Sequence, residues 1–324
     1  MKSLFLISFY LTGAIALAQH PIDREETVLI GGIRQYITIQ GKDSSLPLLL
    51  FLHGGPGGSV MNYAGNFTDK LQKHFVVIQW DQRETGRTRQ LNASTVPLTY
   101  AVFQQDTHAL IQMLLKRFHR EKLYLAGHSW GTALGFHIAR DYPALLYAYM
   151  PIGPMINQRE SERIALGIMK EKALKTGNQT EMEELATVRI PFETGKQLYY
   201  HRKWLLDFAG SKRNLSQRYV EDWSATWLKV FNEASGDNLI ESLPAIGCPV
   251  YFFVGRKDYQ TNSKITETYY TALQAPKKAL FWFELSGHSI PSSEPDRLQD
   301  LIIEKILPQT FIIQKAAQPV ISDH

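Results

Sequence analysis

Short, uninterrupted apolar runs alternate with longer amphipathic stretches along most of this chain. Such runs are typical of strands buried on both faces, whereas the amphipathic stretch at residues 100–118 has the spacing of a helix. Two β-rich segments flank Gly31 and Gly32 and predict a hairpin between residues 27 and 41. Further helices are predicted from the glycine-rich segment near residue 58 to about residue 73, at residues 132–140 and at residues 295–306. The strand-like runs are residues 46–52, 75–80, 123–126, 147–152, 249–254 and 279–285.

Strands that alternate with helices predict an α/β protein whose mostly parallel sheet is covered by helices on both faces. The alternation stops between residues 153 and 243, where charged and aromatic helical segments contain no strand-like run. An insertion of this kind between two strands predicts a helical cap over the C-terminal ends of the strands, where open sheets bind ligands. We therefore expect a core of residues 19–152 and 244–324, and a cap of residues 153–243.

The N-terminal segment differs from the rest of the chain. Lys2 is followed by an apolar stretch at residues 4–17, and Ala16-Leu17-Ala18 places small residues at the spacing of a cleavage site. These features predict a signal peptide at residues 1–18, cleaved after Ala18, and an exported protein, either periplasmic or secreted. An uncleaved anchor is the alternative, but about fourteen apolar residues are short for a bilayer span. No later segment is long and apolar enough to cross a bilayer, so we expect no stable span after cleavage.

Composition narrows the classes of function. The 324 residues carry a net charge of +4 and contain neither a long basic face nor a recognition motif, which argues against binding to nucleic acid. Cys248 is the only cysteine, so the sequence excludes an intrachain disulfide and a zinc site built from cysteines. With 44% hydrophobic and 20% charged residues, the chain has the composition of an ordinary globular protein.

The segment Gly127-His128-Ser129-Trp130-Gly131 lies between a predicted strand and a predicted helix. A serine flanked by glycines two residues away, at such a junction, is the pattern of a nucleophile elbow. The glycines are needed because the chain turns so sharply that side chains there would collide with neighbouring backbone. The same turn would push the Ser129 hydroxyl out over the edge of the sheet. The pattern also arises by chance, so its meaning depends on the residues that accompany it.

A serine hydroxyl is a weak nucleophile until a base takes its proton, and the base needs an acid to orient it. Asp258 follows the strand at residues 249–254, and His288 follows the strand at residues 279–285. Taken singly, Asp258 could cap a helix and His288 could belong to a turn. Together with Ser129 they fall after strands in the order serine, acid, histidine, which predicts a catalytic triad.

An acyl-transfer site also needs hydrogen-bond donors for the oxyanion of its tetrahedral intermediate. We expect one donor to be the backbone N–H of Trp130, at the N-terminus of the elbow helix, where the helix dipole favours negative charge. The second donor is expected to be the N–H of Gly55 in the glycine-rich loop at residues 53–58, with Gly54 beside the substrate. A plain Gly-Pro turn is the alternative for this loop.

Five motifs occur in order along the chain: HGGPGG at residues 53–58, DQRETGRT at 81–88, GHSWG at 127–131, GRKD at 255–258 and SGHS at 286–289. Together they resemble the proline iminopeptidases, serine aminopeptidases of the α/β-hydrolase superfamily. The resemblance covers nearly all of the chain after the leader and is weakest in the cap. It implies an α/β-hydrolase fold with an inserted helical cap, the triad named above, and no metal or organic cofactor. It also implies a small-molecule or short-peptide substrate that loses an N-terminal residue, often proline.

Three positions depart from the pattern of that family. Glu84 and His128 stand where glycine is usual, and Leu228 follows Trp227 where the family has a cap glutamate. That glutamate holds the free ammonium of the substrate, and a desolvated amine needs such a carboxylate. Glu193 is a candidate to replace it and, with Gly54 and Trp227, belongs to the expected substrate contacts. The other candidate carboxylates are Glu84, Glu221 and Asp222.

The sequence therefore predicts a serine hydrolase that works through an acyl-enzyme. The first expected substrate is an N-terminal peptide bond, and the second is a small ester, lactone or amide. A third hypothesis is a ligand-sensing protein of the same fold, with an intact triad and slow turnover.

Overall fold

A computed structural model describes residues 20–211 and 214–310, so the predicted signal peptide lies outside the described residues. The strands in chain order are β1 (Ile22–Ile30), β2 (Ile33–Gly41), β3 (Leu48–Leu52), β4 (Val76–Asp81), β5 (Leu123–His128), β6 (Leu146–Ile152), β7 (Val250–Gly255) and β8 (Lys278–Phe283). They form one eight-stranded sheet in the spatial order β1-β2-β4-β3-β5-β6-β7-β8.

The sheet is mostly parallel. Strand β2 runs antiparallel to both of its neighbours, β1 and β4, whereas every other neighbouring pair is parallel. The predicted α/β class is therefore confirmed. The predicted hairpin is β1–β2, and Gly31 and Gly32 form its turn with φ angles of 55° and 78°, which a glycine adopts without the steric cost of a side chain.

Strand β3, near the middle of the sheet, is apolar along its whole length because both faces of the sheet are covered. In β3 the side chains of Leu48, Leu50 and Leu52 pack into one hydrophobic cluster. Leu49 and Phe51 pack into a second cluster on the opposite face. Successive side chains of a strand point to opposite faces, so a sheet covered on both sides requires a continuous apolar run rather than an alternating one.

Helices connect the strands, and five helices follow one another between β6 and β7 with no strand among them. The described residues contain no helix long and apolar enough to span a bilayer. The helices are α1 (Gly86–Leu91), α2 (Tyr100–Phe118), α3 (Trp130–Asp141), α4 (Gln158–Thr176), α5 (Gln179–Ala186), α6 (Gly195–Phe208), α7 (Gln217–Ala234), α8 (Leu239–Ser242), α9 (Ser263–Ala272), α10 (Ile290–Ser293) and α11 (Pro295–Leu301).

The segment between the glycine-rich loop and β4 differs from the prediction. In place of one helix reaching residue 73, the structure has two short 3₁₀ turns, Ala64–Phe67 and Leu71–Lys73. Gly65 lies inside the first turn and weakens a continuous helix. Phe67 and Leu71 are at most 2% exposed, so the path of this segment is set by the burial of apolar side chains against the sheet.

Candidate active site

Ser129 lies at a sharp turn between β5 and α3. Its φ angle is 53°, a left-handed value that is uncommon for residues other than glycine. An added Cβ would lie 2.6 Å from the carbonyl oxygen of Gly131 at Gly127, and 2.1 Å from the carbonyl oxygen of Leu52 at Gly131. The two glycines are therefore required by the close approach of neighbouring backbone, as expected for an elbow.

Ser129, His288 and Asp258 form a continuous chain of hydrogen bonds. The Ser129 Oγ lies 2.9 Å from His288 Nε2, and His288 Nδ1 lies 2.9 Å from Asp258 Oδ2. The other oxygen of Asp258 accepts backbone N–H bonds from Gln260 at 3.0 Å and Thr261 at 2.9 Å, and the Thr261 hydroxyl donates to Oδ2 at 2.7 Å. This carboxyl holds the imidazole with Nδ1 protonated, which leaves Nε2 free to accept the serine proton.

The environment of Asp258 favours its charged form. Burial acts to raise its pKa, because the side chain is 1% exposed. The charge of His288 and the hydrogen bonds from His288 and Thr261 outweigh burial, and the pKa of Asp258 lies below its ordinary value. Near neutral pH the group is therefore a carboxylate that can stabilise a positive imidazolium.

The two expected oxyanion donors, Trp130 and Gly55, lie at the start of α3 and in the glycine-rich loop. Trp130 is the first residue of α3, so its N–H has no partner inside the helix. Gly55 lines the same pocket as Ser129 and has a φ angle of 123°. An added Cβ at Gly55 would lie 2.7 Å from the N atoms of Gly57 and Gly58, so the loop is folded too tightly for a side chain.

Ser129 and His288 open into a pocket of about 530 Å³ between the strand ends and helices α6 and α7. Of the described residues that line this pocket, none is Asp or Glu, and the charged ones are Arg202 and Lys257. Lys257 is exposed and forms no ion pair with another described residue. No group of three or more His, Cys, Asp or Glu side chains within residues 20–211 and 214–310 is arranged to hold a metal ion. The apolar wall consists of Leu198, Leu205, Leu206, Leu215, Val220 and Phe231.

A buried ion pair supports the wall of this pocket. Arg202 donates to both carboxylate oxygens of Glu162, at 2.6 and 2.5 Å, and the Glu162 side chain is 2% exposed. The Gln158 amide donates to Glu162 at 2.7 Å and to the carbonyl oxygen of Gln260 at 2.9 Å, which joins α4 to the loop after β7. The charge of Arg202 is thus balanced by Glu162, whereas no described carboxylate pairs with Lys257. Sequence reasoning did not identify this network.

The structure does not bring the candidate ammonium-binding carboxylates to the pocket. Glu193 is exposed, and with Leu228 it lines a separate depression on the outer side of α7. Glu221 and Asp222 are also exposed and lie outside the pocket lining. Glu84 accepts a hydrogen bond from a backbone N–H in the loop after α1 and does not line the pocket either. The expected substrate contact through Glu193 is therefore absent from this structure, because Glu193 lies in the segment before the N-cap of α6 and faces a separate depression.

Trp227 is likewise behind the pocket wall. It is 4% exposed and packs against the glycine-rich loop, where an added Cβ at Gly57 would lie 2.6 Å from the indole ring. Trp223, one helical turn earlier, lines the pocket instead, and its Nε1 donates to the carbonyl oxygen of Pro56 at 2.9 Å. Gly54, in contrast, lines the pocket as expected.

The sequence model described as "Serine aminopeptidase, S33" matches residues 44–296. The chain belongs to the serine aminopeptidase S33 family. "Probable aminopeptidase YbaC" from Bacillus subtilis (strain 168) is 29% identical to this chain over 290 residues, which are 82% of this chain and 91% of that protein. The "Proline iminopeptidase" of Heyndrickxia coagulans is 24% identical over 262 residues, 76% of this chain and 86% of that protein.

A solved structure shows the same fold. The crystal structure of a proline iminopeptidase from Mycobacterium smegmatis matches this S33-family chain with a TM-score of 0.61 at 19% identity. The match covers 90% of this chain and 100% of that one. The predicted α/β-hydrolase fold and the resemblance to serine aminopeptidases are both confirmed.

Proposed function

We propose that this S33-family hydrolase works through a covalent acyl-enzyme on Ser129. The observation that carries the proposal is the hydrogen-bond chain from Ser129 through His288 to Asp258, with 2.9 Å at each histidine nitrogen. His288 Nε2 takes the hydroxyl proton as Ser129 Oγ attacks the substrate carbonyl, and then gives that proton to the leaving group. Asp258 keeps the imidazole in its productive tautomer and stabilises its positive charge.

The oxyanion of the tetrahedral intermediate is held, in this proposal, by the N–H groups of Trp130 and Gly55. The position of Trp130 at the start of α3 and the tight folding of the loop around Gly55 support these roles. Fixed backbone donors of this kind are worth about 10²- to 10³-fold each in turnover.

The first candidate substrate is the N-terminal peptide bond of a small peptide. The printed names of the two relatives above, an aminopeptidase and a proline iminopeptidase, support it. A second candidate, a small ester, lactone or amide with an uncharged acyl group, is favoured by a specific observation. The described residues that line the pocket include no carboxylate to pair with an ammonium group, and its unbalanced charge, on Lys257, is positive.

We also propose that residues 153–243 act as a cap that shapes substrate binding, between the core segments 19–152 and 244–324. The apolar side chains that α6 and α7 add to the pocket wall support this role. Export is proposed on the pattern of residues 1–18 alone.

A fluorophosphonate probe tests the acyl-enzyme. We expect it to label the wild-type protein at Ser129 alone, as mapped by peptide mass spectrometry, and to leave Ser129→Ala unlabelled. Equal labelling of the two proteins would contradict the proposal. In the same assay series, a comparison of the turnover of a proline arylamide with that of simple aryl esters separates the two candidate substrates.

A further inference from the structure

His128 is a pocket residue that the proposed mechanism leaves without a role. It is the last residue of β5, next to Ser129, and its ring centroid lies 5.2 Å from that of His288. Its Nε2 lies 3.0 Å from the backbone carbonyl oxygen of His288. A carbonyl oxygen only accepts hydrogen bonds, so this nitrogen must carry the proton.

The second nitrogen of His128 is therefore an acceptor whenever the ring is neutral. Burial, followed by the nearby His288, lowers the pKa of His128 to about 4. The ring is neutral near pH 7, and its Nδ1 carries a free lone pair.

This lone pair lies beside Gly54 and next to the nucleophile. An added Cβ at Gly54 would lie 3.1 Å from His128 Nδ1 and 3.3 Å from the Ser129 Cβ, so the absence of a side chain at Gly54 keeps this space clear. No described residue donates a hydrogen bond to Nδ1, and this atom is not fully buried. The acceptor is thus accessible from the pocket that Ser129 and His288 line.

We propose that His128 Nδ1 positions the water molecule that hydrolyses the acyl-enzyme. This inference rests on the proposed function. During deacylation the water oxygen attacks the acyl carbon while His288 Nε2 takes one of its two protons. The bond between the acyl carbon and Ser129 Oγ then breaks, His288 returns its proton to Oγ, and the acid leaves with the second water proton. His128 Nδ1 accepts a hydrogen bond from that second proton throughout.

The geometry suits a single bridging water. The rings of His128 and His288 lie side by side with their centroids 5.2 Å apart. One point beside Gly54 is 3.1 Å from His128 Nδ1 and 3.3 Å from the Ser129 Cβ, so a water molecule near it is within reach of both the acceptor and the nucleophile. Fixing both protons of the water also fixes the direction of its lone pair, which has to point at the acyl carbon. His128 is thus a water-positioning residue specific to deacylation.

Methanol provides the test because it has one hydroxyl proton where water has two. An aryl ester is hydrolysed in the presence of methanol, and the ratio of methyl ester to acid among the products is measured. In His128→Phe we expect hydrolysis of the acyl-enzyme to fall about tenfold while methanolysis is unchanged, so this ratio rises about tenfold. Where deacylation limits turnover, kcat falls and KM falls with it, and kcat/KM stays within about twofold of wild type.

Matched variants separate this role from a structural one. His128→Gln keeps one donor and one acceptor and is expected to leave the ratio near the wild-type value. Only folded molecules that form the acyl-enzyme contribute to the ratio of methyl ester to acid. This ratio is therefore measurable even if only part of the His128→Phe protein folds. An unchanged ratio in His128→Phe, or a ratio in His128→Gln as high as in His128→Phe, would overturn the inference. A wild-type protein with neither a burst of product nor fluorophosphonate labelling would instead overturn the proposed acyl-enzyme.

Discussion

Replacing Glu162 with glutamine tests whether one buried ion pair holds the pocket wall together. The Glu162 carboxylate is 2% exposed and accepts two bonds from Arg202, at 2.6 and 2.5 Å. Removing its charge leaves a guanidinium that is 15% exposed and has no counter-charge. Breaking such a buried pair costs about 3–5 kcal/mol. Because the glutamine oxygen can still accept one bond, we expect the lower end, a loss of about 3 kcal/mol in the free energy of unfolding.

The effect has a defined pH dependence. Burial acts to raise the pKa of Glu162, but the charges of Arg202 and His201 outweigh it and place its folded-state pKa below the ordinary value of 4.5. A carboxyl with a lowered folded-state pKa contributes stability that is fully present above its unfolded pKa and is lost as the pH falls through the folded one. The difference between wild type and Glu162→Gln is therefore expected to shrink as the pH is lowered below about 4.5.

Urea unfolding followed by tryptophan fluorescence, at pH 7 and at pH 4, measures both effects. Glu284→Gln is the matched control, because Glu284 pairs with Arg256 through two hydrogen bonds but is 61% exposed. Water screens an exposed pair, so this control should leave the unfolding free energy nearly unchanged. A loss at pH 7 in Glu162→Gln no larger than in the control would refute the reasoning.

The remaining predictions concern catalysis, substrate and export. Ser129→Ala and His288→Ala are each expected to lose at least about 10³-fold in kcat with an unchanged unfolding transition, and near-native turnover in either would contradict the triad. Asp258→Asn should lose about 10⁴-fold in kcat, because the amide favours the unproductive imidazole tautomer; a loss below tenfold would argue against that role. Proline arylamide and its N-acetylated form should be cleaved at rates within roughly threefold of each other, because none of the described residues that line the pocket is a carboxylate; a strong preference for the free amine would instead support the N-terminal peptide bond as the substrate. Protein purified from its native host should begin at or near Gln19 by mass spectrometry, and an intact Met1 would exclude cleavage.

Sequence patterns predicted the core well where one physical requirement dominated. The apolar runs at β3 and β7 matched buried strands because a sheet covered on both faces leaves neither face of these strands open to solvent. The helix predicted at residues 100–118 is α2, where the Thr99 side chain caps the first turn by accepting the N–H of Val102. The two glycines of the elbow were predictable for a similar reason, since the backbone contacts there exclude any side chain.

The pocket wall was not predictable in the same way. Trp223 and Trp227 lie one turn apart on the same face of α7, and only the position of the glycine-rich loop decides which of them reaches the pocket. Glu162 lies in a strongly charged segment that is typical of a solvated helix face, and its burial depends on Arg202, forty residues away. Both facts follow from how helices pack against one another, which periodicity alone does not encode.

The two indole contacts of α7 have a consequence for the modularity of this enzyme. Trp223 bonds the loop through Pro56, and Trp227 fills the space in front of Gly57, so the loop that carries Gly55 is shaped by the inserted helices as well as by β3. A chimaera that took its insertion from another S33-family chain would keep Ser129, Asp258 and His288 and lose the support of this loop. Transplanted caps would therefore have to carry both tryptophans to leave the backbone around Gly55 in place.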